Sequence, residues 1–239
     1  MKPDNKYYAG YGLRIIILEQ RALELRYNHN HDDRGRFTFS SGGSSAPKKV
    51  DKSRESGIIK ENGGKKSITE ITDKAIESVP NVEISGYTEK QCAMIQDQHK
   101  ELLKYARDNN DCNEVAFVFD SSLQTRNEFI GADDKLDFGK SFYGRDLLVM
   151  HNHPRNSSYS DTDIAFLISN DNVKTLTIVK NSGSVETLTK TKSYRKDTAI
   201  NEFKRQYKKY VKTGSENEIQ KAIVHFISSE KGGFEWKRT

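Results

Sequence analysis

The chain has 239 residues, 34% of them hydrophobic and 31% charged, with a mean hydropathy of -0.82, which is too polar for dense packing along its whole length. One compact core with polar flanking segments is expected, and no apolar run reaches the roughly 18 residues of a transmembrane helix, so no membrane partner is expected. The net charge of +5 raises nucleic acid as a partner, but the basic residues are spread over Lys48 to Lys66 and the C-terminal segment, which reads as solvated tails and faces and leaves nucleic acid unexpected.

Residues 12–27, "GLRIIILEQRALELRY", place Ile16, Leu18, Leu23 and Leu25 among Glu and Arg with no internal Pro or Gly, and predict a short helix. Arg14 interrupts its apolar patch, which therefore lacks the long apolar core of a secretory signal. An N-terminal helical segment is expected over 1–28. From 29 to 66 Asn, Asp, Gly, Ser and Lys accumulate, and so little apolar surface cannot offset the entropy of ordering, so a flexible linker is expected. His29 and His31 imitate a metal pair there, but a linker would not preorganise a site.

A folded domain is expected over 67–192. "SITEITDKAIESV" opens with Ser67 and Glu70 in capping-box spacing and predicts a short helix. After Pro80 an extended "NVEIS" is followed by a second helix, which Thr88 opens and which runs to about Arg107. His99 inside it reads as a surface or packing residue. The pattern then turns to strands: Glu114 to Phe119, "RNEFIG", and Asp146 to Met150, with a loop around Gly139 to Gly144. "IAFLIS" after Asp163 predicts a helix capped by Ser160, and "VKTLTIV" and "SVETLTK" flank Asn181-Ser182-Gly183 as a hairpin. Residues 193–239 read as a charged helical extension broken at Thr213-Gly214-Ser215, with His225 packed on the core. Cys92 and Cys112 are too few for a disulfide framework and fit a reducing compartment.

The chemistry concentrates in "HNHPRNSSYSDTD". His151 and His153 end an apolar strand two residues apart, so both imidazoles face the same side and can converge on one ion. Pro154 stops further strand pairing, and Asp163, in the first turn after Ser160, can bring a carboxylate back to the same place. Two His and one carboxylate with an open fourth position is the ligand set of catalytic zinc, whereas structural zinc favours thiolates in a closed shell. Spacing alone leaves a polar turn that merely contains histidine as an equal reading.

That stretch resembles the His-x-His-Pro, Ser-x-x-Asp signature of the JAMM (MPN+, JAB) zinc metalloproteases, and the order of elements over roughly 88–190 is similar to theirs. The loop from Pro154 to Ser160 is one residue shorter than the family's, and Ser158 with Asp161 also fits Ser-x-x-Asp, with a still shorter loop. The resemblance implies an α/β fold, a mixed sheet flanked by helices of cytidine-deaminase-like architecture. It implies zinc on His151, His153 and Asp163, with Glu114 as general base and Ser160 helping to hold the oxyanion. Glu128 is the rival base. The expected function is a zinc-dependent hydrolase of peptide or isopeptide bonds acting on a protein or peptide, with a ubiquitin-like protein or a phage structural protein as candidate substrates. "ELRYNHNHDDRGRFTFSSGG" resembles tails of phage head-morphogenesis and minor capsid proteins, which implies a phage or prophage origin and a place in the bacterial cytoplasm or the virion. The alternatives are a non-catalytic MPN-type interaction module of a phage particle and a nucleic-acid-associated protein of the same fold.

Overall fold

The computed structural model describes residues 68–124, 126–131 and 144–239; the expected N-terminal helix, the linker and most of the loop around Gly139 lie outside them. Helix α1 (Asp73–Glu77) and helix α2 (Glu89–Asn109) come first, followed by strands β1 (Val115–Phe119), β2 (Arg126–Ile130) and β3 (Leu147–His153). Helix α3 (Asp161–Ser169) leads to the β4 (Val173–Lys180) and β5 (Val185–Lys190) hairpin. Helices α4 (Lys196–Tyr210) and α5 (Glu216–Ile227) precede a short 3-10 turn and strand β6 (Phe234–Arg238). The fold is mixed α/β: one six-stranded sheet in the order β2-β1-β3-β4-β5-β6, parallel at β3–β4 and antiparallel at every other pairing. Among the described residues no helix is long and apolar enough to cross a membrane.

Both faces of the sheet are covered at its centre, which explains why β1 and the Leu147–Met150 part of β3 are continuously apolar rather than alternating. Val115, Phe117 and Phe119 join Leu148 and Met150 in a core with α1 and α2, while Ala116, Val118, Leu147 and Val149 join the core that α3, α4 and α5 build on the opposite face. His99 belongs to the first core: it is buried, and its Nε2 lies 2.8 Å from Thr177 Oγ1. Burial pushes its pKa down to about 3 from an ordinary 6.5. The folded state therefore binds fewer protons than the unfolded chain between those values, so His99 contributes stability that is fully present above pH 6.5 and lost as pH falls toward about 3. In urea unfolding, the stability gap between wild type and His99→Gln is expected to narrow by up to about 1.4 kcal/mol per pH unit across that window. A gap that stays constant from pH 7 to pH 4 overturns the assignment.

Three local features differ from the sequence reading. The first helix begins at Asp73 behind an N-cap at Thr72, not at Ser67. Thr69 N–H donates to Pro154 O at 2.8 Å and its carbonyl accepts from Asn181 Nδ2 at 2.8 Å, and these long-range bonds hold 68–71 out of the helix. The C-terminal residues are helical, but Ala199, Phe203, Ala222, Ile223 and Phe226 are buried in the core beneath the sheet, and the chain ends in β6, paired with β5. They are part of the domain and do not project from it. His225 is exposed, because the buried positions of α5 are Ala222, Ile223, Phe226 and Ile227, and its ring stacks on Tyr210 at 4.3 Å instead of entering the core. Cys92 is buried, with Sγ 3.4 Å from the Ile84 amide, and Cys112 is half-buried; both are free thiols.

The tight β4–β5 turn depends on Gly183, whose φ is +97°. A Cβ there would run into the Ala75 carbonyl and the Ser78 hydroxyl, so only glycine lets the hairpin close against α1.

Candidate metal centre

The site lies where β3 ends, on the sheet face covered by α3. Ala116 of β1 pairs with His151 of β3, and His151 in turn pairs with Ile178 of β4. His153 is two residues on and shares the face of His151. Glu114 precedes β1 by one residue and is two positions from Ala116, so the extended chain aims it at the same side. Its carbonyl accepts from Gly131 N at 2.8 Å and from Asn110 Nδ2 at 3.0 Å, which fixes where the side chain starts.

Asp163 arrives from above through its helix. Ser160 caps α3 in a reciprocal capping box: Asp163 N–H donates to Ser160 Oγ at 3.1 Å, while Ser160 N–H and Oγ–H donate to Asp163 Oδ2, each at 2.7 Å. Ser160 Oγ is also 2.6 Å from Thr162 Oγ1. The cap therefore holds the Asp163 carboxylate over the two imidazoles.

Four side chains converge. His151 Nε2 is 2.8 Å from His153 Nε2, 3.3 Å from Asp163 Oδ1 and 3.7 Å from Glu114 Oε1, and His153 Nε2 is 3.6 Å from Asp163 Oδ2. Ligand atoms of Glu114, His151 and His153 all lie within 4.8 Å of one another, and the three residues are buried, so this group could hold a metal ion. Donors about 2.0 to 2.1 Å from a tetrahedral ion stand about 3.3 Å apart, and the His–Asp separations match that spacing. His153 Nδ1 lies 3.1 Å from the Ser157 carbonyl oxygen, which only accepts, and 3.0 Å from Ser157 Oγ, which can do either; a proton on Nδ1 satisfies the carbonyl and leaves the Nε2 lone pair facing the site. Two imidazole nitrogens and carboxylate oxygens aimed at one point are a donor set that suits a divalent transition ion. His151 Nδ1 has no hydrogen-bond partner among the described residues.

The electrostatics favour the protonation states that ligation needs. Burial pushes the His153 pKa down to about 4, against the partial opposition of the Asp163 charge, so its imidazole is neutral at neutral pH. Burial pushes Asp163 upward, but the charge and hydrogen bond of His151, the charge of His153 and the Ser160 amide together hold its carboxyl well below the usual carboxylate range. Its side chain is 15% exposed, which leaves the site a route to solvent.

Every residue named from the sequence, Glu114, His151, His153, Ser160 and Asp163, meets here. Glu128 does not. It pairs with Phe117 and so projects to the opposite face of the sheet, where it is held by Arg126 at 2.5 Å. Ser158 does not reach the site either; its hydroxyl donates to Glu186 Oε2 at 2.7 Å.

Sequence reading missed the polar network behind the ligands. Asn152, fully buried between the two histidines in sequence, accepts from Val115 N–H at 2.7 Å and donates to Asn181 Oδ1 at 2.8 Å and Asn113 O at 3.2 Å. Asn181 Nδ2 donates to Thr69 O and to Cys112 O at 3.0 Å. The available signal was a polar side chain at the centre of a strand end whose neighbours are all buried.

No family model, curated protein or solved structure matches this chain. Its function rests on the site.

Proposed function

We propose that the protein is a zinc-dependent hydrolase of peptide or isopeptide bonds, built on a JAMM-like α/β domain. The observation that carries this reading is the buried convergence of two histidine Nε2 atoms with Glu114 and Asp163 at one strand end. A residue set placed only for packing has no need to bring two carboxylates against two buried imidazoles. His151, His153 and Asp163 would hold the metal. When bound, zinc supplies Lewis acidity, lowering the pKa of water toward about 7 and drawing charge from a carbonyl oxygen.

The protein's own groups supply the rest. Glu114, buried and adjacent to His151, would take the proton of the attacking water and return it to the departing amine. Ser160 would turn its hydroxyl from Asp163 Oδ2 to the oxyanion, while its backbone N–H keeps the carboxylate in place. Capping fixes where the hydroxyl sits, so the two roles are compatible. The substrate would be a protein or peptide, and a phage setting rests on the N-terminal resemblance alone.

Elemental analysis of protein purified without added metal, followed by assay against fluorogenic linear and isopeptide-linked substrates with and without chelator, tests the reading. About one zinc per chain is expected, with cleavage that chelation removes and zinc restores. Metal-free protein that gains no zinc on addition overturns the metal centre. Zinc-loaded protein inert on both substrate classes favours the interaction-module reading.

A further inference from the structure

Glu186 is 2% exposed and lies within the sheet, a place where a carboxylate is costly unless every oxygen is engaged. It sits on the site's own face: Ala116, His151, Ile178 and Glu186 are successive partners across β1, β3, β4 and β5. Its Oε1 is 2.9 Å from Lys180 Nζ, and Lys180 is the β4 partner of His153. Its Oε2 accepts from Ser158 Oγ at 2.7 Å and from Trp236 Nε1 at 3.1 Å. Ser158 belongs to the loop that joins His153 to Ser160, and the residue before it, Ser157, meets His153 Nδ1 with its carbonyl oxygen at 3.1 Å and its hydroxyl at 3.0 Å. Asn156 and Tyr159 anchor the same loop through Thr69, Ser182 and Leu176, and Ser158 is the side-chain tie next to Ser157 itself.

We propose that Glu186 is a positioning residue of the metal centre: through Ser158 it fixes the loop whose Ser157 orients His153, and through Trp236 it makes that orientation depend on the last strand of the chain. The inference rests on the metal-centre reading for its consequence, but not for its geometry. Groups that orient ligating histidines are worth about 10- to 100-fold in metal affinity in other proteins.

The test compares wild type with Ser158→Ala, Trp236→Phe and Glu186→Gln. Zinc affinity is read by chelator competition, and the His153 tautomer in metal-free protein by long-range proton–nitrogen NMR. Circular dichroism and unfolding midpoints establish that each variant is folded. Ser158→Ala leaves Glu186 paired with Lys180 and Trp236, so it removes the carboxylate's link to the loop without stranding the carboxylate, and the Tyr159 hydroxyl still reaches the Glu186 carbonyl. It is expected to bind zinc about tenfold more weakly and to show a mixture of His153 tautomers, where wild type shows the Nδ1–H form alone. Trp236→Phe should move both readouts in the same direction by a smaller factor. Glu186→Gln keeps a side-chain oxygen to accept from Ser158 and should retain the wild-type tautomer. Ser158→Ala indistinguishable from wild type in both readouts overturns the proposal. A tautomer change in a protein that binds no zinc even as wild type leaves the positioning role standing and removes the metal-centre reading instead.

Discussion

Glu114→Gln is expected to keep its zinc, with affinity within about threefold of wild type, and to lose hydrolysis by about 100- to 10,000-fold, the range that removal of a positioned proton acceptor produces. Asp163→Asn should do the reverse in the metal assay, weakening zinc by at least about tenfold. The distinction matters because both carboxylates reach the imidazoles. Asp163 approaches both, at 3.3 Å from His151 Nε2 and 3.6 Å from His153 Nε2, and the Ser160 amide and hydroxyl both donate to its carboxylate. Glu114 approaches only one of them within 4 Å, His151 at 3.7 Å, from a longer side chain on the segment that leads into β1. A carboxylate set between both imidazoles suits a ligand, and one that flanks a single imidazole suits a proton carrier. Equilibrium zinc titration of both variants, beside the hydrolysis assay, decides it: a Glu114→Gln protein that sheds its metal while Asp163→Asn keeps it would exchange the two roles.

The converging site was legible because strand geometry is periodic. His151 and His153 had to share a face, and the parity that puts Ala116 beside His151 also puts Glu114 there and sends Glu128 to the other side. The cap at Ser160 was legible for the same kind of reason, since a capping box is a local pattern with a fixed reach. What escaped the sequence depends on partners far away in the chain. The Ser67–Glu70 spacing looks like a helix start, yet residue 69 is claimed by Pro154 and Asn181. The terminal "FEWKR" is too short and too charged to announce a strand, and it becomes one because β5 offers an open edge and Trp236 finds Glu186. Nothing local marks Glu186 as a buried acid. Alternation in "SVETLTK" places it on one face, but only the neighbouring strands and the 154–160 loop decide that this face is closed.

The largest effect on folding is expected at Asn152. Asn152→Ala should lower stability by about 3 to 5 kcal/mol, read as a shift of the urea midpoint, and should weaken zinc binding in whatever fraction remains folded. The physical reason is that the side chain closes a network around fully buried Asn152 and Asn181. Its removal strands the Val115 amide, and it leaves the Asn113 carbonyl and Asn181 Oδ1 without their donor, all at the seam between β1, β3 and the β4–β5 hairpin. Each buried group left unsatisfied costs about 1 to 3 kcal/mol, and relaxation of the seam recovers part of the sum. Asn152→Asp, which keeps the acceptor toward Val115 but replaces a donor with a charge facing the Asn181 oxygen, should not rescue it. Because Val115 follows Glu114 and Asn152 separates the two histidines, the same seam sets the distance between the proton carrier and the metal ligands. A stable Asn152→Ala protein with unaltered zinc affinity would show that the ligands are held by α3 and the 154–160 loop alone. Loss of both together would place the rigidity of the site in the sheet itself.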